Sequence, residues 1–528
     1  MDGLPPPFDV PPENRLVEER NIQCKSLEGL TRRSRGTSLV RHSPTMAHFC
    51  DIGKVTIEVL PDEILLEIFD FYIAELVDEE GWETLVHVCR RWRHVTFAAP
   101  RRLELRIVCT AETQARTMLD VWPALPILIR VVDLDDEDLD NVIAAVEHSD
   151  RISEIFVRNV SNYSLERIAA AATQRPFPEI TDCILLSYGE MVMDLPDMFL
   201  GGSAPRLIML MLEGIPFPAL PNLLLTATNL VRLRLQDIPA SGYIPLEAMV
   251  DCLSLMTKLE DLEIEYRSPH PLFDRTPRRL PPSTRAVLPV LSNLSLRGVA
   301  EYLEGFFASI RASLHNYVHL EFLSPGVFDV SRVSMFIDRT KPFDGLDQAH
   351  MSFKRHFVDI TLASQTGATG GMSLQLSVRC IGSVWQLQRL SWTHGRFTPP
   401  FDDLERFDLR EVPNRLSPLW TDGMESPTGS WLELLRNFVA VETLYLSEGL
   451  ALCIVPALKG LTQDDVNGVF PALQTLFVEG LPPSGPVQVA IGEFAAARER
   501  AGRPIDVRCW VRESGPDQLF REFMELFG

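Results

Sequence analysis

A six-residue pattern, Φ-x-x-Φ-x-Φ with Φ apolar, returns along most of this 528-residue chain and leaves few folds open to it. It reads L-I-M-L-M-L from Leu207, L-V-R-L-R-L from Leu230, L-E-D-L-E-I from Leu259 and L-S-N-L-S-L from Leu291. Later copies start at Leu387 (L-Q-R-L-S-W), Val441 (V-E-T-L-Y-L) and Leu473 (L-Q-T-L-F-V), and fainter ones at Ile152, Ile180, Tyr317, Phe357 and Leu404. The first four starts differ by 23, 29 and 32 residues. The closing Φ-x-Φ predicts a short strand, whose alternation sends the apolar side chains inward and the residue between them outward. The chain between copies, such as Pro245 to Leu255 or Tyr302 to Leu314, is long enough for a helix that returns it for parallel pairing. Each unit buries its apolar side only against its neighbours, so the units predict an array with one continuous core.

A different pattern precedes the array. Val59 to Pro100 opens with V-L-P-D-E-I-L-L-E-I-F-D-F-Y and, after an acidic spacer, continues with W-E-T-L-V-H-V-C-R-R-W-R-H-V. Leu60 and Pro61 open a helix, with Asp62 and Glu63 beside its positive end. Ile64, Leu65, Ile68, Phe69 and Tyr72 form an apolar stripe at helical spacing. A second amphipathic helix carries Trp82, Leu85, Val88, Cys89 and Trp92 on one face, and Arg90, Arg91 and Arg93 crowd its C-terminal end. Two such helices fall near the lower size limit for an independent core. They are either a hairpin capping the array or a docking module whose apolar face another protein completes.

The runs L-P-D-E-I-L-L-E-I-F and L-V-H-V-C-R-R-W-R resemble an F-box, the adaptor-binding motif of cullin-type ubiquitin ligases. The resemblance covers about a twelfth of the chain, and the acidic spacer from Ala74 to Gly81 is longer than the motif leads one to expect. It implies that Leu60, Pro61, Ile64, Ile68, Val88, Cys89 and Trp92 contact a Skp-type adaptor, and through it a cullin. The repeats resemble the leucine-rich-repeat family in degenerate form. Where that family places Asn or Cys, this chain has Ile215, Ile238, Arg267, Val299, Val412 and Leu481. The expected fold class is therefore α/β: a short N-terminal helical F-box followed by an irregular leucine-rich-repeat solenoid with parallel strands. A pair of shorter α/β domains is the alternative. The expected divisions are residues 1–50 as a disordered Pro-, Arg- and Ser-rich extension, 51–100 as the F-box, and 101–528 as the repeat domain closed by a C-terminal capping helix.

The outward positions of the strands are the candidate target surface: Met211, Arg232, Arg234, Asp261, Glu263, Asn293, Ser295, Glu321, Arg389, Ser391, Thr443, Tyr445, Thr475 and Phe477. Arg232, Arg234, Glu263, Arg389 and the aromatic pair Tyr445 and Phe477 carry the recognition chemistry among them. A merely solvated face is the competing reading. A formal charge of −22 argues against sequence-independent nucleic-acid binding and against anionic membranes. Nine scattered cysteines without a C-x-x-C pair fit reduced thiols in the cytoplasm or nucleus. No apolar run reaches the ~20 residues that span a bilayer. No catalytic constellation, cofactor site or metal site is expected. T-G-A-T-G-G at Thr366 lacks the Lys-Ser/Thr of a phosphate-binding loop. His315 and His319, four apart on a predicted helix, lack a third ligand. The function implied is a non-catalytic receptor that joins a target protein to the ligase. A scaffold or inhibitor that binds the adaptor without a cullin is the alternative.

Overall fold

The structure, a computed structural model, describes residues 57–75, 81–113, 115–133, 139–187, 193–268, 286–314, 316–323, 347–353, 357–363, 373–379, 405–411, 428–436, 438–459, 461, 468–480 and 484–510. The expectations for residues 1–50, for T-G-A-T-G-G, for the Leu387 copy with Arg389, and for the closing helix lie outside them. The chain divides into two units, one ending at Pro61 and the other beginning at Asp62. Of the first, the described part is a 3-10 turn, Ile57–Val59, with the Leu60-Pro61 pair after it.

The second unit opens with three helices, α1 (Asp62–Glu75), α2 (Gly81–Val88) and α3 (Arg90–Ala98). Strands and helices then alternate as far as β4: β1 (Ile107–Cys109), α4 (Ala115–Val121), β2 (Ile127–Val132), α5 (Leu139–Val146), β3 (Ile152–Arg158), α6 (Asn162–Ala171) and β4 (Asp182–Leu186), with a 3-10 turn, Phe199–Gly202, before β5 (Met209–Glu213). Next come α7 (Leu220–Leu224), β6 (Arg232–Ile238), α8 (Leu246–Leu253), β7 (Asp261–Tyr266), β8 (Ala286–Leu288), β9 (Asn293–Gly298), α9 (Ala300–Ser309), β10 (Ile310–Ala312) and β11 (Tyr317–Phe322). The C-terminal part holds β12 (Gln348–Phe353), β13 (Phe357–Ala363), β14 (Ser373–Arg379), β15 (Arg406–Glu411), α10 (Thr428–Leu435), β16 (Thr443–Leu446), α11 (Glu448–Lys459), β17 (Thr475–Glu479), α12 (Pro486–Arg500) and β18 (Asp506–Trp510). Among the described residues, sixteen strands form one mainly parallel sheet, and β8 with β10 forms a small parallel pair.

The repeating pattern explains the sheet. Leu207, Leu230, Leu259 and Leu291, which open four copies, are fully buried just before their strands. The next apolar positions align across neighbours: Leu210 lies beside Leu233, Leu233 beside Leu262, Leu262 beside Leu294, and Leu294 beside Val318. All of them are buried, so successive strands share one core. The residues between them stay half-exposed and give the sheet a second, open face.

Among the described strands, one departs from the parallel arrangement. The order runs β11-β14-β13-β12-β15, with β13 antiparallel to both neighbours. Chain length explains the reversal. Only three residues separate Phe353 from Phe357, too few for a parallel crossover but enough for a hairpin. Because β12 and β14 keep the common direction, parallel pairing resumes on either side.

Gly214 shows how tightly the strand ends are set. Its φ is +70°, and a Cβ there would overlap the Ser187 carbonyl oxygen. That carbonyl lies one strand over, just beyond β4, so the turn out of β5 requires a residue without a side chain.

Candidate docking surfaces

Helix α1 is apolar on two faces. Leu65 and Phe69 are fully buried, against α2 and α3. Ile64, Ile68 and Phe71, at 45%, 41% and 71% exposure, point the other way with Tyr72. The stripe expected from the sequence therefore splits, with one half inside the module and the other on its surface. A helix apolar all round is ordinarily buried all round. Contiguous apolar exposure of this kind marks an interaction surface.

The expected second helix breaks in two. Cys89 takes extended backbone (φ −156°, ψ 170°) and caps α3, its Sγ accepting from the Trp92 amide at 3.4 Å. Arg90, Arg91 and Arg93 consequently begin α3 rather than ending one long helix. Arg91 and Arg93 are used there locally. Arg93 Nε donates to the Val86 carbonyl at 2.9 Å, satisfying an acceptor at the end of α2. Arg91 Nη2 pairs with Asp62 at 2.6 Å and ties α3 to the start of α1. The break leaves Val88 exposed at 55% and Cys89 exposed beside it. Trp92 is half-buried, its ring 4.8 Å from Phe69. In the first unit, Leu60 is half-buried, with its amide bonded to the Ile57 carbonyl, and Pro61 is exposed. Phe71 did not stand out in the sequence, although its i+7 spacing from Ile64 places it on the same stripe.

The module is anchored on its other side. Trp82 Nε1 donates to the Arg106 carbonyl at 2.9 Å, just before β1. Trp82, Phe97 and Trp122 meet edge to face with centroids 5.4 to 6.0 Å apart.

The second surface is the open face of the sheet. Register aligns Met211, Arg234, Glu263, Ser295 and His319 on successive strands, and carries the row on to Tyr445, Phe477 and Arg508. Arg232 is exposed at the edge of the same face. Arg234 and Glu263 are already engaged: Arg234 holds Asp261 at 2.6 Å and approaches Glu263 at 3.8 Å, and Gln236 donates to Glu263 at 2.8 Å. Tyr445 and Phe477 stack with centroids 4.5 Å apart and planes 4° from parallel. The Arg406 guanidinium covers Tyr445 at 4.4 Å, so the faces of this ladder are filled by its own members and its edges are what it presents.

Carboxyl groups crowd the middle of the face. Burial, with the neighbouring Glu263 charge adding to it, pushes Glu265 up to about 7; Arg297 and a hydrogen bond from Ser295 oppose the shift. A carboxyl raised in the folded state contributes stability below its unfolded value, near 4.3, and loses it as pH rises through about 7. Glu265→Gln removes that loss. The variant is expected to match the parent below pH ~4 and exceed it at pH ~8.5 by on the order of 1–3 kcal/mol, read from denaturant midpoints. A parent whose stability is flat between those pH values would contradict this ionisation state.

His319 belongs to strand β11, not to a helix. Burial pushes it down to about 4, so it is neutral at neutral pH, and Ser295 Oγ lies 3.3 Å from its Nδ1. His315 lies outside the described residues. Among the described residues, no His, Cys, Asp and Glu side chains group to hold a metal ion, and no helix is long and apolar enough to cross a membrane.

Residues 57–99 match the F-box-like family model. No curated protein matches the chain. The match spans the Leu60-Pro61 pair and all three helices, with their outward apolar side chains. F-box-like domains act in protein–protein interaction, typically by binding Skp-type adaptors in ubiquitin ligase complexes, and belong to proteins that are generally non-catalytic.

Proposed function

We propose that this protein is a substrate receptor of a Skp–cullin ubiquitin ligase. Its F-box-like module docks the adaptor, and through it the cullin, while the open face of the sheet holds a target protein. The outward apolar face of α1 carries this reading, because Ile64, Ile68 and Phe71 stay exposed on a helix whose opposite face is already buried. Val88, Cys89 and Trp92 extend the adaptor contact within the same unit, and Leu60 and Pro61 of the first unit also touch the adaptor in this reading.

The sheet is a degenerate leucine-rich-repeat array in this reading. The buried opening leucines and in-phase strands support it. The chain itself makes and breaks no bond. It accelerates ubiquitin transfer by holding the target near a charged carrier enzyme, which raises effective concentration. The cytoplasm or nucleus is where it acts. Burial raises Cys109, Cys183 and Cys252 to about 11, 12 and 11, which suits thiols kept reduced and un-ionised.

Loss of the protein should lengthen the half-life of its target and of few other proteins, as read by a proteome-wide chase after translation arrest. Unchanged half-lives together with intact adaptor binding would move the assignment to a scaffold or inhibitor that holds the adaptor without engaging a cullin.

A further inference from the structure

We propose that the open face of the sheet between β4 and β11 docks a target segment in which apolar side chains are interleaved with lysine or arginine. The inference rests on the open face being the target surface, and adds the chemistry of what it takes. Register sets Ile184 beside Met211 and Asp182 beside Met209, while Leu186 neighbours Glu213. Ile184, Leu186, Met209 and Met211 are all half-exposed, so an apolar patch lies open on a face that otherwise carries charge. Two of the four are methionines, whose flexible thioethers adapt to varied apolar partners.

The charge around that patch has one sign in excess. From β4 to β11 the face carries six carboxyl groups, at Asp182, Glu213, Asp261, Glu263, Glu265 and Glu321, against three guanidiniums. Two of the three, Arg234 and Arg297, are already engaged, and Arg232 is exposed at the edge of the face. Arg234 serves Asp261 and Glu263, and Arg297 pairs with Glu321 at 3.2 Å. Among the described residues Glu213 and Glu265 make no ion pair, although Arg158 lies near enough to Glu213, and Arg297 to Glu265, to favour their charge. Burial raises both carboxyls; at Glu213 the charge of Asp237 and, less, of Glu263 adds to the rise, and at Glu265 that of Glu263 does. An ammonium or guanidinium supplied by a partner would meet this deficit, while its neighbouring apolar side chain covers Ile184 and Met211. The formal charge of −22 on the whole chain steers such a partner inward.

The test uses the full chain and two labelled peptides, one alternating leucine with lysine and the other leucine with glutamate, followed by fluorescence anisotropy. The lysine peptide should bind and the glutamate peptide should not. Glu213→Gln with Glu263→Gln should weaken the lysine peptide about tenfold. A charge-matched control at exposed positions outside the face, Glu147→Gln in the turn after α5 with Glu166→Gln on α6, should leave it unchanged. Met211→Ala, which removes no charge, should also weaken binding and decides the matter if the double variant misfolds. Equal binding of both peptides, or equal losses in the site and control variants, would overturn the proposal and leave only general attraction to an acidic chain. Adaptor capture by the same proteins is measured alongside, so failure of this chemistry is separable from failure of the receptor reading.

Discussion

Replacing Ile68 and Val88 together with aspartate should abolish capture of a Skp-type adaptor while the sheet stays folded. Both side chains are largely exposed, so their loss removes little from the chain's own core. Docking an apolar side chain of this size contributes about 1.5–3 kcal/mol, and burying an unpaired carboxylate in its place adds a further penalty. Two such changes imply a loss of more than about a thousandfold in affinity. The inward face provides the contrast. Leu65→Ala should cost on the order of 2–5 kcal/mol by opening a cavity, and so reduces capture only by loosening the helical module. Circular dichroism separates the two. Undiminished capture by the doubly substituted protein would place the adaptor contact elsewhere.

Gly214→Val should be among the most destabilising single substitutions in the sheet. Its positive φ costs a residue with a Cβ about 1–2 kcal/mol, more when branched, and the Ser187 carbonyl occupies the space a side chain needs. Because that obstacle is backbone at the end of a neighbouring strand, relieving it means shifting β4 against β5. The expected loss is on the order of 3–5 kcal/mol, seen as a lower urea midpoint. Gly492→Ala should do the opposite. Gly492 lies inside α12 with open space where a Cβ would stand, so the substitution should gain roughly 0.5–1 kcal/mol from helix propensity. A Gly214→Val protein as stable as its parent would mean that the turn is not held as described.

The strands of the repeat were legible because the pattern is itself the burial rule. Every described copy, from Ile152 through Leu473, forms a strand whose apolar positions alternate inward. Strands without the full triplet, such as β1 and β2, carry no such signal. The reversal of β13 was hidden in connection lengths, which a search for repeated triplets passes over. In the helical module, composition could identify the apolar stripe but not divide it. Leu65 and Ile64 read alike as letters, and only the placement of α2 and α3 decides which is inside. The break at Cys89 was likewise invisible, since its cap is made by a thiol where Ser or Asp is usual. On the open face the row of residues could be read from alternation alone. That Arg234 spends its charge on Asp261 and Glu263 depends on which strands lie side by side.

The most direct test of the receptor reading is affinity capture of the full chain from a eukaryotic lysate, with Skp-type adaptor and cullin both quantified. Near-stoichiometric recovery of the two is the predicted result. Recovery of neither would show that the exposed face of α1 serves some other partner and would contradict the ligase account.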